Sequence, residues 1–140
     1  MGLNCSHGAF DGSYGSFNRF RQAICYVIGG SYPPHNNSNH LLFSDNQQPD
    51  ENIWYWGYGY SPESHPGLYL LLSHSDCDGE ISPEDCLKVA TDLEKLIPRL
   101  EELGLNGGHI ERQGGFAGVC RKFVDGCKKA AELGEPLVFG

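Results

Sequence analysis

Apolar residues recur every three to four positions in three stretches of the chain, which is the spacing of one buried face of an α-helix. The first predicted helix begins near Ser13 and ends at Gly29-Gly30, and the last covers about residues 116–133 and stops at Gly134. The apolar face of the first helix is formed by Phe17, Phe20, Ile24 and Val27 or Ile28. We expect both helices to pack this face into a common core.

The second predicted helix has the clearest start signal in the sequence. Ser82 is placed as the N-cap, Pro83 takes the first helical position, and Asp85 at the third position makes an acidic variant of the capping box. The apolar spacing continues to Leu103, with Pro98 inside the run. Because proline removes a backbone donor and clashes with the preceding turn, we expect a kink there.

Short apolar runs predict few strands. Residues 68–73 have the composition of a buried strand, and residues 136–139 and 53–58 are weaker candidates. We therefore expect an α+β fold, with about three helices packed on a small sheet, in a single domain over residues 1–140.

A long stretch, residues 29–67, has neither helical nor strand spacing over most of its length and is predicted to be either a binding loop or a partly disordered segment. Within it, the segment WYWGYGY at 54–60 places five aromatic rings in seven positions. In a strand, alternation would place four rings on one face, as a stacking platform for a base or another flat ring: Trp54, Trp56, Tyr58 and Tyr60. The alternative is a core strand that packs these rings under the helices.

Composition limits the classes of partner. The chain of 140 residues has a formal net charge of −8, which argues against a broad surface for long nucleic acid, because such a surface must be basic. No stretch approaches the roughly 20 apolar residues of a membrane span, and the start MGLNCSHGAF lacks the pattern of a signal peptide. We expect a cytoplasmic protein with no membrane partner, and the composition is compatible with a homo-oligomer.

Six cysteines are present, and without an export signal we expect them to stay reduced. No CxxC pair occurs, which argues against a zinc ribbon or a thioredoxin-like site. Three cysteines fall on apolar helical positions and are predicted to be small core residues: Cys86, Cys120 and Cys127.

The segment HSDCDGEISPED at 74–85 carries the strongest candidate for a metal site. Carboxylates two residues apart repel one another unless a cation, backbone amides or water stabilises them. In a calcium-type loop, the ligand positions 1, 3, 5, 7, 9 and 12 would be taken by His74, Asp76, Asp78, the carbonyl of Glu80, Ser82 and Asp85, with Gly79 at position 6. We therefore expect a divalent cation (Mn²⁺, Mg²⁺ or Ca²⁺) as the cofactor.

Two features weaken the calcium interpretation. An EF-hand has a helix before its loop, where we predict a strand, and the histidine at position 1 is a softer ligand than calcium prefers.

The alternative is a loop that is stabilised without a metal ion. The aspartates of a DG turn that leads into a capped helix could accept hydrogen bonds from backbone amides and favour the positive end of the helix dipole.

The pattern HxDxDGxxS in the same segment resembles the first motif of the DHH phosphoesterases, whose histidine and aspartates bind manganese or magnesium at the end of a strand. The resemblance covers nine residues and implies a divalent site at His74, Asp76 and Asp78. It makes a metal-dependent phosphoesterase an alternative function, with His109 or His7 as general acid or base.

The segment SHGAFDGSYGSFNRFR at 6–21 is a candidate anion site. Small residues before a helix let backbone amides approach an anion, and arginine can bind it through two parallel hydrogen bonds. The predicted ligand-binding residues here are His7, Tyr14, Arg19 and Arg21. The alternative is a glycine-rich turn that caps an ordinary helix.

The chain as a whole resembles a group of small proteins encoded by tailed phages and prophages. The likeness is carried by the stretches GLNCSHGAFDGSYGSFNRFR, LLSHSDCDGEISPEDC and FVDGCKKAAELGEPLVF. It implies the cytoplasm of a host cell and a role in anti-defence, such as sequestering a nucleotide immune signal. Since no full catalytic set is visible, we expect a protein that binds a nucleotide-like small molecule, and the alternatives are the phosphoesterase and a module that binds a host or virion protein.

Overall fold

The structure is a computed structural model, and it describes residues 2–29, 59–74, 78–103 and 108–140. The described part of the chain forms four strands and six α-helices, with a 3-10 turn at Ser6–Gly8. In chain order these are β1 (Gly2–Cys5), β2 (Phe10–Ser13), α1 (Tyr14–Val27), α2 (Pro66–Leu72), β3 (Glu80–Ile81), α3 (Pro83–Glu94), α4 (Ile97–Glu101), α5 (Gly108–Arg112), α6 (Gly115–Leu133) and β4 (Leu137–Val138).

The predicted α+β class is confirmed, and the three predicted helices are present as α1, α3 and α6. Ser13 caps α1 by accepting a hydrogen bond from the Ser16 amide, and Ser82 caps α3 by accepting one from the Asp85 amide. Gly134 ends α6 in the left-handed conformation, at φ 68°. The cap residues therefore set the helix ends where the sequence placed them.

The second predicted helix is broken where only a kink was expected. The helix α3 ends at Glu94, and α4 begins at Ile97. Pro98 explains the position of the break, because a proline ring clashes with the carbonyl four residues earlier, which belongs to Glu94. The chain resumes as a short helix with Pro98 in its first turn, where the missing N–H removes no hydrogen bond.

The predicted strand at Leu68–Ser73 is wrong, because residues Pro66–Leu72 form α2. Leu68, Leu71 and Leu72 are buried at helical spacing, and Pro66 occupies the first turn of the helix. A short, wholly apolar run is compatible with both structures. The proline start and the leucine-rich composition favour the helix.

The carboxylate of Asp92 fixes the start of α2 against α3. This side chain is buried, and its Oδ2 accepts hydrogen bonds from the amides of Gly67 at 2.8 Å and Leu68 at 3.3 Å. Gly67 lies so close to the backbone carbonyl of Lys88 that a Cβ would overlap with it. The two helices that flank the predicted metal loop are therefore held together directly.

Two small antiparallel pairs of strands lie side by side. The hairpin β1–β2 pairs Gly2 with Ser13 and Cys5 with Phe10, and it was not predicted from the sequence. The pair β3–β4 matches Ile81 with Leu137, so the strand predicted at 136–139 is confirmed in its central residues. A single bridge between Cys5 and Phe139 connects the two pairs.

The core lies between these strands and the helices α1, α3 and α6. Phe17 is at its centre, with ring centroids 5.2 Å from Phe10, 6.2 Å from Phe123 and 5.8 Å from Phe139. The predicted burial of Cys86, Cys120 and Cys127 is confirmed, since each is 0% exposed. Among the described residues, no helix is long and apolar enough to cross a membrane.

Candidate functional site

The segment that carries the predicted metal ligands connects α2 to α3. The helix α2 ends at Leu72, and α3 starts at Pro83. Between them the structure describes residues 73, 74 and 78–82, and Asp76 lies outside the described residues. The predicted loop is therefore flanked by a helix on both sides, as in a calcium-binding helix–loop–helix.

Two of the predicted ligand atoms lie close together. The Nε2 atom of His74 is 3.3 Å from the backbone carbonyl oxygen of Glu80. In a calcium-type loop, His74 takes position 1 and Glu80 takes position 7. Gly79, at position 6, has φ +96°, a conformation that side-chain-bearing residues rarely adopt. The backbone reversal that such a loop requires at its central glycine is present.

The remaining described ligands take other roles. The hydroxyl of Ser82 accepts the Asp85 amide at 3.2 Å as the cap of α3, and the Asp85 carboxylate is 3.3 Å from the Lys88 ammonium group. Asp78 is exposed. Over the described ranges, with Asp76 outside them, no three His, Cys, Asp or Glu side chains form a group that could hold a metal ion.

His74 is held in place by the residue that follows β4. Its imidazole stacks on the Phe139 ring, with centroids 4.0 Å apart and planes inclined by 29°. The Phe139 amide donates a hydrogen bond to the Gly79 carbonyl at 2.8 Å. Phe139 therefore contacts the loop at both His74 and Gly79, which orients the imidazole toward the Glu80 carbonyl.

The predicted anion-binding arginines lie in different environments. Arg21 is fully buried and donates to the carbonyls of Leu71 and His74 and to Oδ1 of Asn18, and its guanidinium lies 4.7 Å from the centre of the Phe17 ring. Arg19 is half-buried on α1. The Arg21 charge is therefore directed into the core, at the end of α2, and the structure does not bring both arginines to one surface.

Tyr14 is the first residue of α1 and packs partly buried against the core. The Ser16 amide in the first turn of this helix is bonded to Ser13, which removes one of the amides that an anion could use. Anion binding by Tyr14, Arg19 and Arg21 stays a prediction.

His7 is in contact with a residue far along the sequence. Its Nε2 is 2.8 Å from Oε1 of Glu135, and its Nδ1 is 3.0 Å from the Ser6 hydroxyl. Neither Ser6 nor Glu135 was a predicted site residue. No local pattern could have indicated the pair, since 128 positions separate His7 from Glu135.

The strand predicted at 53–58 lies outside the described residues, and so do the platform rings of Trp54, Trp56 and Tyr58. Tyr60, the fourth ring of the predicted platform, is described. Its hydroxyl accepts a hydrogen bond from the Arg99 guanidinium at 3.1 Å, and its ring centroid is 4.6 Å from that of His65. His109 lies on α5, and the structure describes its backbone alone.

Comparisons of the chain with protein-family models, with curated proteins and with solved structures find no significant match.

Proposed function

We propose that the protein binds a divalent cation with the loop that joins α2 to α3. The observation that carries this proposal is the proximity of the His74 imidazole and the Glu80 carbonyl, 3.3 Å apart in a loop between two helices. In a calcium-type loop these are the first and seventh positions, whose ligands converge on one ion.

The helix before the loop removes one of the two objections raised by the sequence. A strand was expected there, and the EF-hand arrangement requires a helix. The loop is also anchored at its second half, because Ile81 is buried and paired with Leu137 of β4. A loop fixed in this way needs less ordering when a cation binds, and pre-organisation of this kind increases affinity.

The ligand set indicates which cations to test. The predicted ligands include the carboxylates of Asp76, Asp78 and Asp85, and carboxylates suit Ca²⁺, Mg²⁺ and Mn²⁺. The imidazole of His74 instead suits transition metals. A neutral imidazole in place of a carboxylate lowers the negative charge of the loop, and calcium affinity depends on that charge. We therefore expect Mn²⁺ to bind at least as tightly as Ca²⁺, and Mg²⁺ to bind most weakly.

Calorimetric titration and thermal unfolding with each cation would test the proposal. A free cation concentration of about 100 times the dissociation constant should raise the free energy of unfolding by about 2.7 kcal/mol. The variant Asp78→Asn should lose most of this effect, because it removes one charged ligand. Asp125→Asn is the matched control, since Asp125 is an exposed carboxylate on α6, outside the loop.

If none of the three cations binds the wild type, the proposal is wrong, and the loop is a capped turn. Equal loss of binding in Asp78→Asn and Asp125→Asn would also contradict it, because that result would indicate a nonspecific effect of net charge.

We also propose that the protein binds and sequesters a nucleotide-like ligand. The aromatic run at 54–60 and Arg19 support this proposal. A thermal-shift screen of cyclic and linear nucleotides would test it, followed by recovery of the ligand after denaturation. Intact ligand would support sequestration, whereas cleaved product with turnover would support the metal-dependent phosphoesterase. Absence of any shift would favour the module that binds a host or virion protein.

A further inference from the structure

Ser6, His7 and Glu135 form a continuous chain of hydrogen bonds outside the loop that we propose as a cation site. The Ser6 hydroxyl is 3.0 Å from Nδ1 of His7, and Nε2 of His7 is 2.8 Å from a Glu135 carboxylate oxygen. The amide of Val138 donates a third hydrogen bond to the Ser6 hydroxyl oxygen at 2.8 Å. The 3-10 turn and the segment between α6 and β4 supply the three side chains.

The Glu135 partner determines the direction of one hydrogen bond. A carboxylate only accepts hydrogen bonds, so the proton between His7 and Glu135 belongs to Nε2 of the imidazole. In the tautomer with a proton on Nε2 alone, which a general base requires, Nδ1 is an acceptor and the Ser6 hydroxyl donates to it. Since the Val138 amide uses one lone pair of the Ser6 oxygen, the second lone pair is available for attack on an electrophile.

The backbone of His7 is strained. With φ +59°, it is the one residue other than glycine with a positive φ in the described part of the chain. The left-handed conformation costs roughly 1–2 kcal/mol for such a residue. Strain of this kind is retained at functional sites more often than elsewhere, and here it coincides with an imidazole that has a partner on each nitrogen.

We propose that Ser6 is a nucleophile that reacts with activated acyl or phosphoryl donors, with His7 as its general base and Glu135 as the positioning residue. The arrangement matches the roles in a serine, histidine and carboxylate triad, in which a base activates the hydroxyl and a third group orients the base. Val138, whose backbone amide donates to the Ser6 hydroxyl, has an exposed apolar side chain that is available to contact an acyl group.

With an aryl ester, the Ser6 oxygen attacks the carbonyl carbon and its proton passes to Nδ1 of His7. The bond from the carbonyl carbon to the aryl oxygen breaks, and the proton on His7 passes to the departing phenolate. Water then attacks the acyl-serine by the same route, which releases the carboxylic acid and restores the Ser6 hydroxyl. No oxidant or reductant is required.

The chain contains a built-in comparison at Ser64 and His65. The Ser64 hydroxyl is 2.8 Å from Nδ1 of His65, the same local contact as between Ser6 and His7. In the described ranges no carboxylate contacts the His65 ring. The Ser64 oxygen also accepts hydrogen bonds from both the amide and the hydroxyl of Ser61, which occupy its two lone pairs. We therefore expect Ser64 to be unreactive.

To test this proposal, the full chain is treated with diisopropyl fluorophosphate and, separately, with p-nitrophenyl acetate. A chelator is present to remove metal ions, so that no metal contributes to either reaction. Attack of the Ser6 oxygen on phosphorus breaks the P–F bond, so fluoride leaves while the hydroxyl proton passes through His7 to solvent. We expect one phosphoryl adduct per chain by intact mass, located on Ser6 by peptide mapping, together with slow ester hydrolysis. Ser6→Ala should abolish both reactions, and His7→Gln should slow them at least about 100-fold, the lower end of the contribution of a general base. Ser64→Ala should react like the wild type.

Glu135→Gln separates the catalytic role from a structural one. The Glu135 side chain is 58% exposed, so the substitution should leave the folded structure unchanged, which thermal unfolding checks. We expect kcat for p-nitrophenyl acetate to fall about tenfold with KM unchanged, because the uncharged amide stabilises the protonated imidazole less. No adduct at Ser6, equal labelling of Ser64, or an unchanged rate in Glu135→Gln would overturn the proposal, and none of these results bears on the cation site.

Discussion

The buried guanidinium of Arg21 donates a hydrogen bond to the backbone carbonyl of His74, the first residue of the predicted metal loop. The same Nη1 atom donates to the Leu71 carbonyl at 3.2 Å, near the end of α2. A positive charge at this end of a helix is favoured by the helix dipole. Arg21, predicted as a ligand-binding residue, therefore also connects α1 to the start of the loop.

We expect Arg21→Met to lower the free energy of unfolding by about 2–4 kcal/mol. Methionine keeps much of the apolar volume but leaves the buried carbonyl of Leu71 and the partly buried carbonyl of His74 without this donor, at a cost of about 1–3 kcal/mol for each buried polar group. Urea denaturation measures the change. Arg121→Met is the control, because Arg121 is exposed and its pair with Glu101 contributes less than about 1 kcal/mol. Similar losses in the two variants would contradict the anchoring role of Arg21.

The helix ends were predictable because their signals are local. The start of α3 is defined by Ser82, Pro83 and Asp85, and the end of α6 by Gly134 after the last apolar turn. Each of these residues acts within a few positions of the helix end that it defines. The missed helix α2 shows the limit of such signals, since its apolar run fits a strand as well as a helix. The structure of this run also depends on the carboxylate of Asp92, which accepts the Gly67 amide. Asp92 is remote in sequence, so the local pattern carries no information about it.

The candidate site was predictable only in part, for the same reason. The alternating ligands of the loop are neighbours in sequence, so their meeting at His74 and Glu80 could be expected. The contact between His7 and Glu135 depends on how α6 returns the chain toward the hairpin, which no motif encodes. The stacking of His74 on Phe139 has the same origin, because Phe139 reaches the loop through the pairing of β3 with β4.

Gly79 and Gly134 allow a matched test of the loop geometry. Both have positive φ, +96° and +68°, so alanine is strained at either position. A Cβ at Gly134 would meet open space, whereas a Cβ at Gly79 would lie 3.2 Å from the Cε1 atom of His74. We expect Gly134→Ala to cost about 1 kcal/mol and Gly79→Ala about 1–3 kcal/mol, with a changed NMR signal of the His74 ring only in the second. Equal costs and an unchanged signal would show that the imidazole does not pack on this turn.

Stability should decrease steeply at alkaline pH because of two buried thiols. Burial raises the pKa of Cys5 and of Cys120 from 9.0 to about 12. Between these values the folded protein keeps both protons, whereas the unfolded chain releases them, so unfolding becomes more favourable as the pH rises. Each thiol should lower the free energy of unfolding by about 1.4 kcal/mol per pH unit in this window and leave it unaffected at neutral pH.

Urea denaturation at pH values from about 8 to 10.5 would measure this slope in the wild type, in Cys120→Ala and in the double variant with Cys5→Ala. Each substitution creates a small cavity and lowers stability at every pH, so the slope carries the information and the absolute value does not. We expect the slope above pH 9 to become shallower by about 1.4 kcal/mol per pH unit for each thiol removed. A slope that is the same in all three proteins would mean that these thiols ionise as readily in the folded chain as in the unfolded one, and therefore that water reaches them.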